Sequence, residues 1–127
     1  MKTAILIDDD FDDLSILESI IASIDSTIRC HCFSDTVDAL TFLAREGTHR
    51  IDYVFTDYNM PKMNGIEVIK EIISMGRYDS TVFAVVSSCI TGLADRLQEF
   101  GVTNVFEKSP SGKELGSMIG SVLSKGR

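Results

Sequence analysis

Five short apolar runs, each followed by a segment of helical hydrophobic spacing, succeed one another along this sequence, and that alternation limits the possible folds more than any other feature. Thr3–Ile7 is apolar enough for a strand buried on both faces. From Phe11 onward the period changes, with Leu14, Leu17, Ile20, Ile21 and Ile24 recurring at helical spacing. Ile28, Cys30 and Cys32 then alternate with Arg29, His31 and Phe33, as on a second strand. Ser34 is placed to cap the next helix, whose expected inner face is Val37, Leu40, Leu43 and Ala44 and whose expected end is Gly47. Tyr53–Thr56 reads as a third strand that stops at Asp57. Pro61 and Gly65 punctuate the loop before a helix carrying Ile66, Ile69, Ile72 and Ile73. Residues 81–86 form the strongest strand candidate, a helix is expected over 92–100, and Asn104–Glu107 is the fifth strand. The SGKE run at 111–114 has the pattern of a capping box. It opens a helix with Leu115, Met118, Ile119, Val122 and Leu123 inside.

Strands and helices in this order predict an α/β fold: a five-stranded parallel sheet, doubly wound as (βα)5 with right-handed crossovers, flavodoxin-like in plan. At 127 residues the chain suits one domain, with no linker and no internal repeat. The expectation is a single domain over 1–127 with no output domain attached. No apolar run approaches the roughly 20 residues of a membrane span, and the N-terminal apolar stretch is too short for a signal peptide. A cytoplasmic location without membrane contact is expected.

The net charge of −7 is mostly local, because Asp8, Asp9, Asp10, Asp12 and Asp13 contribute five acidic units within six positions. A concentrated acidic cluster reads as a site, and the lack of a basic face argues against direct nucleic-acid binding. Cys30, Cys32 and Cys89 are odd in number and are expected as reduced thiols. Cys30 and Cys32 flank His31, but strand alternation puts His31 on the other face. They are expected as two small core residues on a buried strand face, not as metal ligands. His49 has no assigned role.

In an open α/β sheet, ligands lie beyond the carboxyl ends of the strands, near the point where strand order reverses. The first strand ends in Asp8 and Asp9, the third in Asp57, the fourth in Ser87 and the fifth in Lys108. Carboxylates that converge cannot all stay ionised unless a pKa rises or a cation binds. Oxygen-only donors with room for waters suit Mg²⁺, with Asp8 and Asp9 as candidate ligands. Asp10, Asp12 and Asp13 are read as a charged helix start, favoured by the macrodipole by about 0.3–1 kcal/mol each. A metal, a lysine and a hydroxyl around Asp57 suit phosphoryl transfer to that carboxylate.

Taken together, the acidic pair in ILIDDD, VFTDYNMPKMNG, VVSS and GVTNVFEKS resemble the receiver domains of two-component response regulators over essentially the whole chain. The resemblance implies that Asp57 accepts a phosphoryl group from a phosphohistidine on a sensor histidine kinase or a histidine phosphotransfer protein. It further implies that Asp8 and Asp57 ligate Mg²⁺ directly, that Asp9 helps through water, and that Asn59 lends a backbone carbonyl. Ser87 would turn toward the phosphoryl group and Lys108 would pair with it. Catalysis would extend only to the chain's own phosphorylation and dephosphorylation. Signalling would pass by contact to a downstream protein, from a monomer or a weak homodimer.

Two residues depart from the family pattern. Val105 stands where many members have an aromatic switch residue, so shape change must use other displacements, and Phe106 belongs to the opposite face. Ser109 separates Lys108 from Pro110. A cis Lys108–Ser109 bond would cost about 2.5–4 kcal/mol, so a trans bond or a shifted loop is expected. Asn59 and Cys89 are placed at the rim, where neither supplies a general base. Val105 also suggests an alternative, a receiver-like adaptor indifferent to phosphorylation. An aspartyl-nucleophile phosphatase of the haloacid-dehalogenase type would need an Asp at position 59. A flavodoxin-like flavin carrier would have to hold a phosphate against the aspartates after the first strand.

Overall fold

A computed structural model describes residues 2–45, 50–88, 91–108 and 112–125. Its elements run β1 (Thr3–Ile7), α1 (Phe11–Ile24), β2 (Arg29–Phe33), α2 (Thr36–Ala44), β3 (Tyr53–Thr56), α3 (Gly65–Ser74), β4 (Val82–Ser87), α4 (Leu93–Gln98), β5 (Asn104–Glu107) and α5 (Gly112–Lys125). All neighbouring strands are parallel, in the order β2-β1-β3-β4-β5. This is the doubly wound, flavodoxin-like sheet expected from the alternation.

Strand alternation divides the core in two. Ala4, Leu6, Tyr53, Phe55, Ala84 and Val86 face α1 and α5, meeting Leu17, Ile21, Ile119 and Val122. Ile5, Ile7, Val54 and Val85 face α2, α3 and α4, meeting Leu43, Ile69 and Leu97. Val105 packs on the second side and Phe106 on the first, as alternation requires. Because β1 connects first to β2 on one side and its other neighbour is β3, strand order reverses between β1 and β3. A crevice opens there, at their carboxyl ends.

Several local expectations are corrected. Cys30 is half-buried and Cys32 exposed, because β2 is an edge strand of the sheet; Cys32 Sγ lies 3.7 Å from Glu18 Oε2 of α1. Burial and the Glu18 charge push both thiols up to about 11, which keeps them protonated. Asp35, not Ser34, caps α2, its carboxylate accepting the Val37 N–H at 2.7 Å. The inner face of α2 is Thr36, Ala39 and Leu43 with Leu40 packed beside them, while Val37 and Ala44 are exposed. Ile24 and Ile73 are also exposed, at the edges of their helical stripes. The α4 helix is shorter than expected, ending before Gly101, whose φ of +77° suits only a residue free of Cβ strain. The expected roles of Gly47, Cys89, Ser109 and Ser111 lie outside the described residues.

Candidate functional site

Parallel pairing carries the chain past the last strand residues before it lets go. Asp8 N–H donates to the Phe33 carbonyl at 3.1 Å and Asp57 N–H to the Ile7 carbonyl at 2.9 Å, so the two carboxylates emerge side by side at the crevice. Both residues are buried, and Asp9 beside them is exposed. One carboxylate oxygen from each of Asp8, Asp9 and Asp57 lies within 4.8 Å of the others.

Immediately beyond, Asp10 leaves the extended chain and caps α1. Its carboxylate accepts the Asp12 and Asp13 N–H groups at 2.8 and 3.2 Å, and its own N–H donates to Asp8 Oδ1 at 3.0 Å. The five aspartates therefore divide by backbone geometry into a converging set and a helix start. Asp13 crosses that division, because its side chain turns back to Lys108.

Lys108 follows β5, and its N–H donates to the Ser87 carbonyl at 2.7 Å, bringing the ends of β4 and β5 together. Its Nζ lies 2.8 Å from Asp8 Oδ2, 2.8 Å from Asp13 Oδ2 and 3.5 Å from Asp57 Oδ2. Asp57 Oδ1 accepts the Tyr58 N–H at 2.8 Å, which fixes the plane of the carboxylate. Ser87 is fully buried at the end of β4, and Asn59 is exposed two residues beyond Asp57.

Electrostatics follow from this crowding. Burial pushes the carboxyls of Asp8 and Asp57 above the ordinary aspartate range, with Lys108 opposing the shift in both. For Lys108, burial disfavours the ammonium, but its hydrogen bonds to Asp13 and Asp8 and the nearby charges outweigh it and hold the group protonated. Among the described residues the Lys108 ammonium thus faces three carboxylates, those of Asp8, Asp13 and Asp57, and Asp8 and Asp57 are buried. An oxygen-only cluster with that excess of negative charge fits a hard divalent cation. The adjoining cavity of about 80 Å³, which Asp8, Asp13, Asp57 and Lys108 line, is far smaller than a nucleotide pocket.

Three contributors were not singled out in sequence. Asp13 reads there as one more helix-start charge. Tyr58 both fixes Asp57 and, through its hydroxyl, accepts a hydrogen bond from Arg96 Nη1 of α4 at 2.9 Å. Gly65, seen only as punctuation, lies against the Asp57 backbone, where a Cβ would sit 2.6 Å from the Asp57 carbonyl oxygen. The NGIE run at 64–67 did carry a readable signal. Asn64 and Glu67 form a reciprocal capping box at 2.9 and 3.0 Å that starts α3 there.

The family model of the response regulator receiver domain matches residues 4–120. No curated protein matches the chain. Among solved structures, a response regulator receiver domain protein from Clostridium thermocellum aligns with a TM-score of 0.79 at 18% identity, over 98% of this chain and 96% of that one. The Mn²⁺-bound form of the response regulator Rcp1 aligns with a TM-score of 0.82 at 22% identity, over 98% and 93%. The chemotaxis response regulator CheY4 of Vibrio cholerae gives 0.80 at 20% identity, over 96% and 98%. At these identities the likeness is one of fold.

Proposed function

The chain belongs to the response regulator receiver domain family, a module of two-component phosphoacceptor signalling, and on that premise we propose that Asp57 is its phosphoacceptor. The observation that carries this reading is the meeting of Asp8, Asp9 and Asp57 within 4.8 Å, with the Lys108 ammonium 3.5 Å from Asp57. The donor is a phosphohistidine on a sensor histidine kinase or a histidine phosphotransfer protein. An Asp57 carboxylate oxygen attacks phosphorus, the P–N bond breaks with its electron pair going to the imidazole, and an acyl phosphate remains on Asp57.

Receiver domains bind Mg²⁺ at an acidic pocket, and an aspartate cluster of that kind is present here. In our reading Asp8 and Asp57 hold Mg²⁺ directly, Asp9 through water, and Asn59 by its carbonyl. When bound, the ion offsets the negative charge that collects on the transferring group. The chain's own residues do the rest by position. Tyr58 N–H fixes the plane of the nucleophile. Lys108 presents its ammonium to the phosphoryl oxygens, and Ser87 contributes its hydroxyl from the end of β4. Burial around Asp8 and Asp57 limits water near the acyl phosphate.

The only chemistry assigned is self-phosphorylation and its reversal. Output passes by contact to a downstream protein in the cytoplasm. Among the described residues no helix is long and apolar enough to cross a membrane. Val105, half-buried on the α4 side of the sheet, has no ring to move between exposed and buried positions. The Tyr58–Arg96 hydrogen bond supports a different link from Asp57 to α4.

The test is intact-mass spectrometry after incubation with acetyl phosphate, with and without Mg²⁺, on the wild type and Asp57→Asn. The reading expects a gain of one phosphoryl group that requires both Mg²⁺ and Asp57. An equal gain in the variant would reject Asp57 as the acceptor.

A further inference from the structure

We propose that Asp13 is the positioning residue for Lys108, holding the ammonium at the site while metal and phosphoryl group take up its other partners. This deepens, and rests on, the phosphoacceptor reading above. An ammonium has three donors and no acceptor. Those of Lys108 face Asp8 at 2.8 Å, Asp13 at 2.8 Å and Asp57 at 3.5 Å. Asp8 and Asp57 both belong to the converging oxygen set, and Asp57 also carries the phosphoryl group in our reading. Asp13 is outside that set. It is therefore the one anchor of the three for which neither the cation nor the phosphoryl group competes.

The backbone beneath Asp13 is well suited to the task. Its N–H donates to the capping carboxylate of Asp10, which fixes the first turn of α1 against the site. A carboxylate serving only the helix start would be solvated. That of Asp13 instead lines the same cavity as Asp8, Asp57 and Lys108. Lys108 ends a flexible four-carbon stem that follows the last strand, so its place at Asp57 depends on what holds the ammonium. With Asp13 neutralised, the ammonium settles onto Asp8 and Asp57, the oxygens a cation needs.

A double-mutant cycle tests this on the full chain with wild type, Asp13→Asn, Lys108→Met and the double variant. Each is treated with acetyl phosphate and Mg²⁺, followed by intact mass, titrated with Mg²⁺ calorimetrically, and melted to verify folding. Asp13→Asn is expected to slow phosphoryl incorporation on the order of tenfold, as misplaced groups do. The double variant should be no slower than Lys108→Met, because the effect passes through the lysine. Asp13→Glu, which keeps the carboxylate, should recover part of the rate. No slowing, or equal slowing in both backgrounds, would overturn the proposal. A wild type that takes no phosphoryl group would instead sink the phosphoacceptor reading. In that case, or where Lys108→Met leaves no incorporation to measure, the Mg²⁺ titrations decide. Weakening by Asp13→Asn that is several-fold larger with Lys108 than without it supports the positioning role. Additive effects, or no binding at all, overturn it.

Discussion

Gly65 is the residue whose replacement should most disturb the phosphoacceptor loop without touching a charged group. A Cβ at this position would lie 2.6 Å from the Asp57 carbonyl oxygen, 3.0 Å from Tyr58 Cα and 3.3 Å from the Asp57 carbonyl carbon. All three are backbone atoms, so no flexible side chain can yield. Either α3 withdraws or the segment carrying Asp57 moves. Withdrawal would also stretch the 2.8 Å hydrogen bond from Gly65 N–H to the Tyr58 carbonyl. Overpacking of this sort costs about 1–3 kcal/mol. The lost backbone freedom of glycine returns about 0.5–1 kcal/mol when alanine enters a helix. The net loss for Gly65→Ala is then about 1–2 kcal/mol, or a melting temperature lower by roughly 3–10 °C in a domain of this size. Thermal unfolding by circular dichroism reads the stability, and phosphoryl incorporation from acetyl phosphate reads the site. Both should fall. A Gly65→Ala protein that melts at or above the wild-type temperature would refute the close approach at Asp57.

Three further outcomes follow from single contacts. Asp10→Ala removes the cap that accepts two N–H groups, and should cost about 0.5–2 kcal/mol in chemical denaturation, with the phosphoryl group still taken up at Asp57. Tyr53→Phe deletes a buried hydroxyl that donates to the Leu123 carbonyl at 2.6 Å and ties β3 to α5; a loss of about 0.5–1.5 kcal/mol is expected from urea unfolding. The third concerns pH. The Asp57 carboxyl binds its proton more tightly in the folded chain than in the unfolded one, because it is buried. Such a group favours folding below its unfolded pKa, and that contribution is lost as pH rises through the folded pKa. At neutral pH the ionised carboxylate is therefore a cost, and Asp57→Asn should melt higher than the wild type. The advantage should shrink as pH falls toward the ordinary value of 3.8, where the wild-type carboxyl protonates too. An Asn variant less stable than wild type at neutral pH would contradict the buried-carboxylate picture.

The fold was legible because buried parallel strands and amphipathic helices differ in hydrophobic period, and each of the five strands lies where its apolar run predicted, to within a residue or two. Misreadings gathered where periodicity says little. Cys30 and Cys32 alternate as core residues would, yet an edge strand follows the same pattern with half the cover. Ser34 and Asp35 are both competent caps, and only the turn geometry chooses Asp35. At the site, strand ends announced Asp8, Asp9, Asp57, Ser87 and Lys108, because the chain reverses direction there and polar residues replace apolar ones. Asp13 carried no such mark. Its pairing with Lys108 spans 95 positions and depends on how α1 sits beside β5. Gly65 likewise shows its role only once α3 is docked against the Asp57 backbone.

The central claim, that Asp57 is the acceptor, is tested most directly by chemical mapping. The protein is treated with acetyl phosphate and Mg²⁺, then reduced with borohydride, which converts an acyl phosphate to an alcohol and spares free carboxylates. Peptide sequencing by mass spectrometry should find homoserine at position 57 and intact aspartate at 8, 9 and 13. Homoserine at any of those other positions, with aspartate retained at 57, would contradict the assignment.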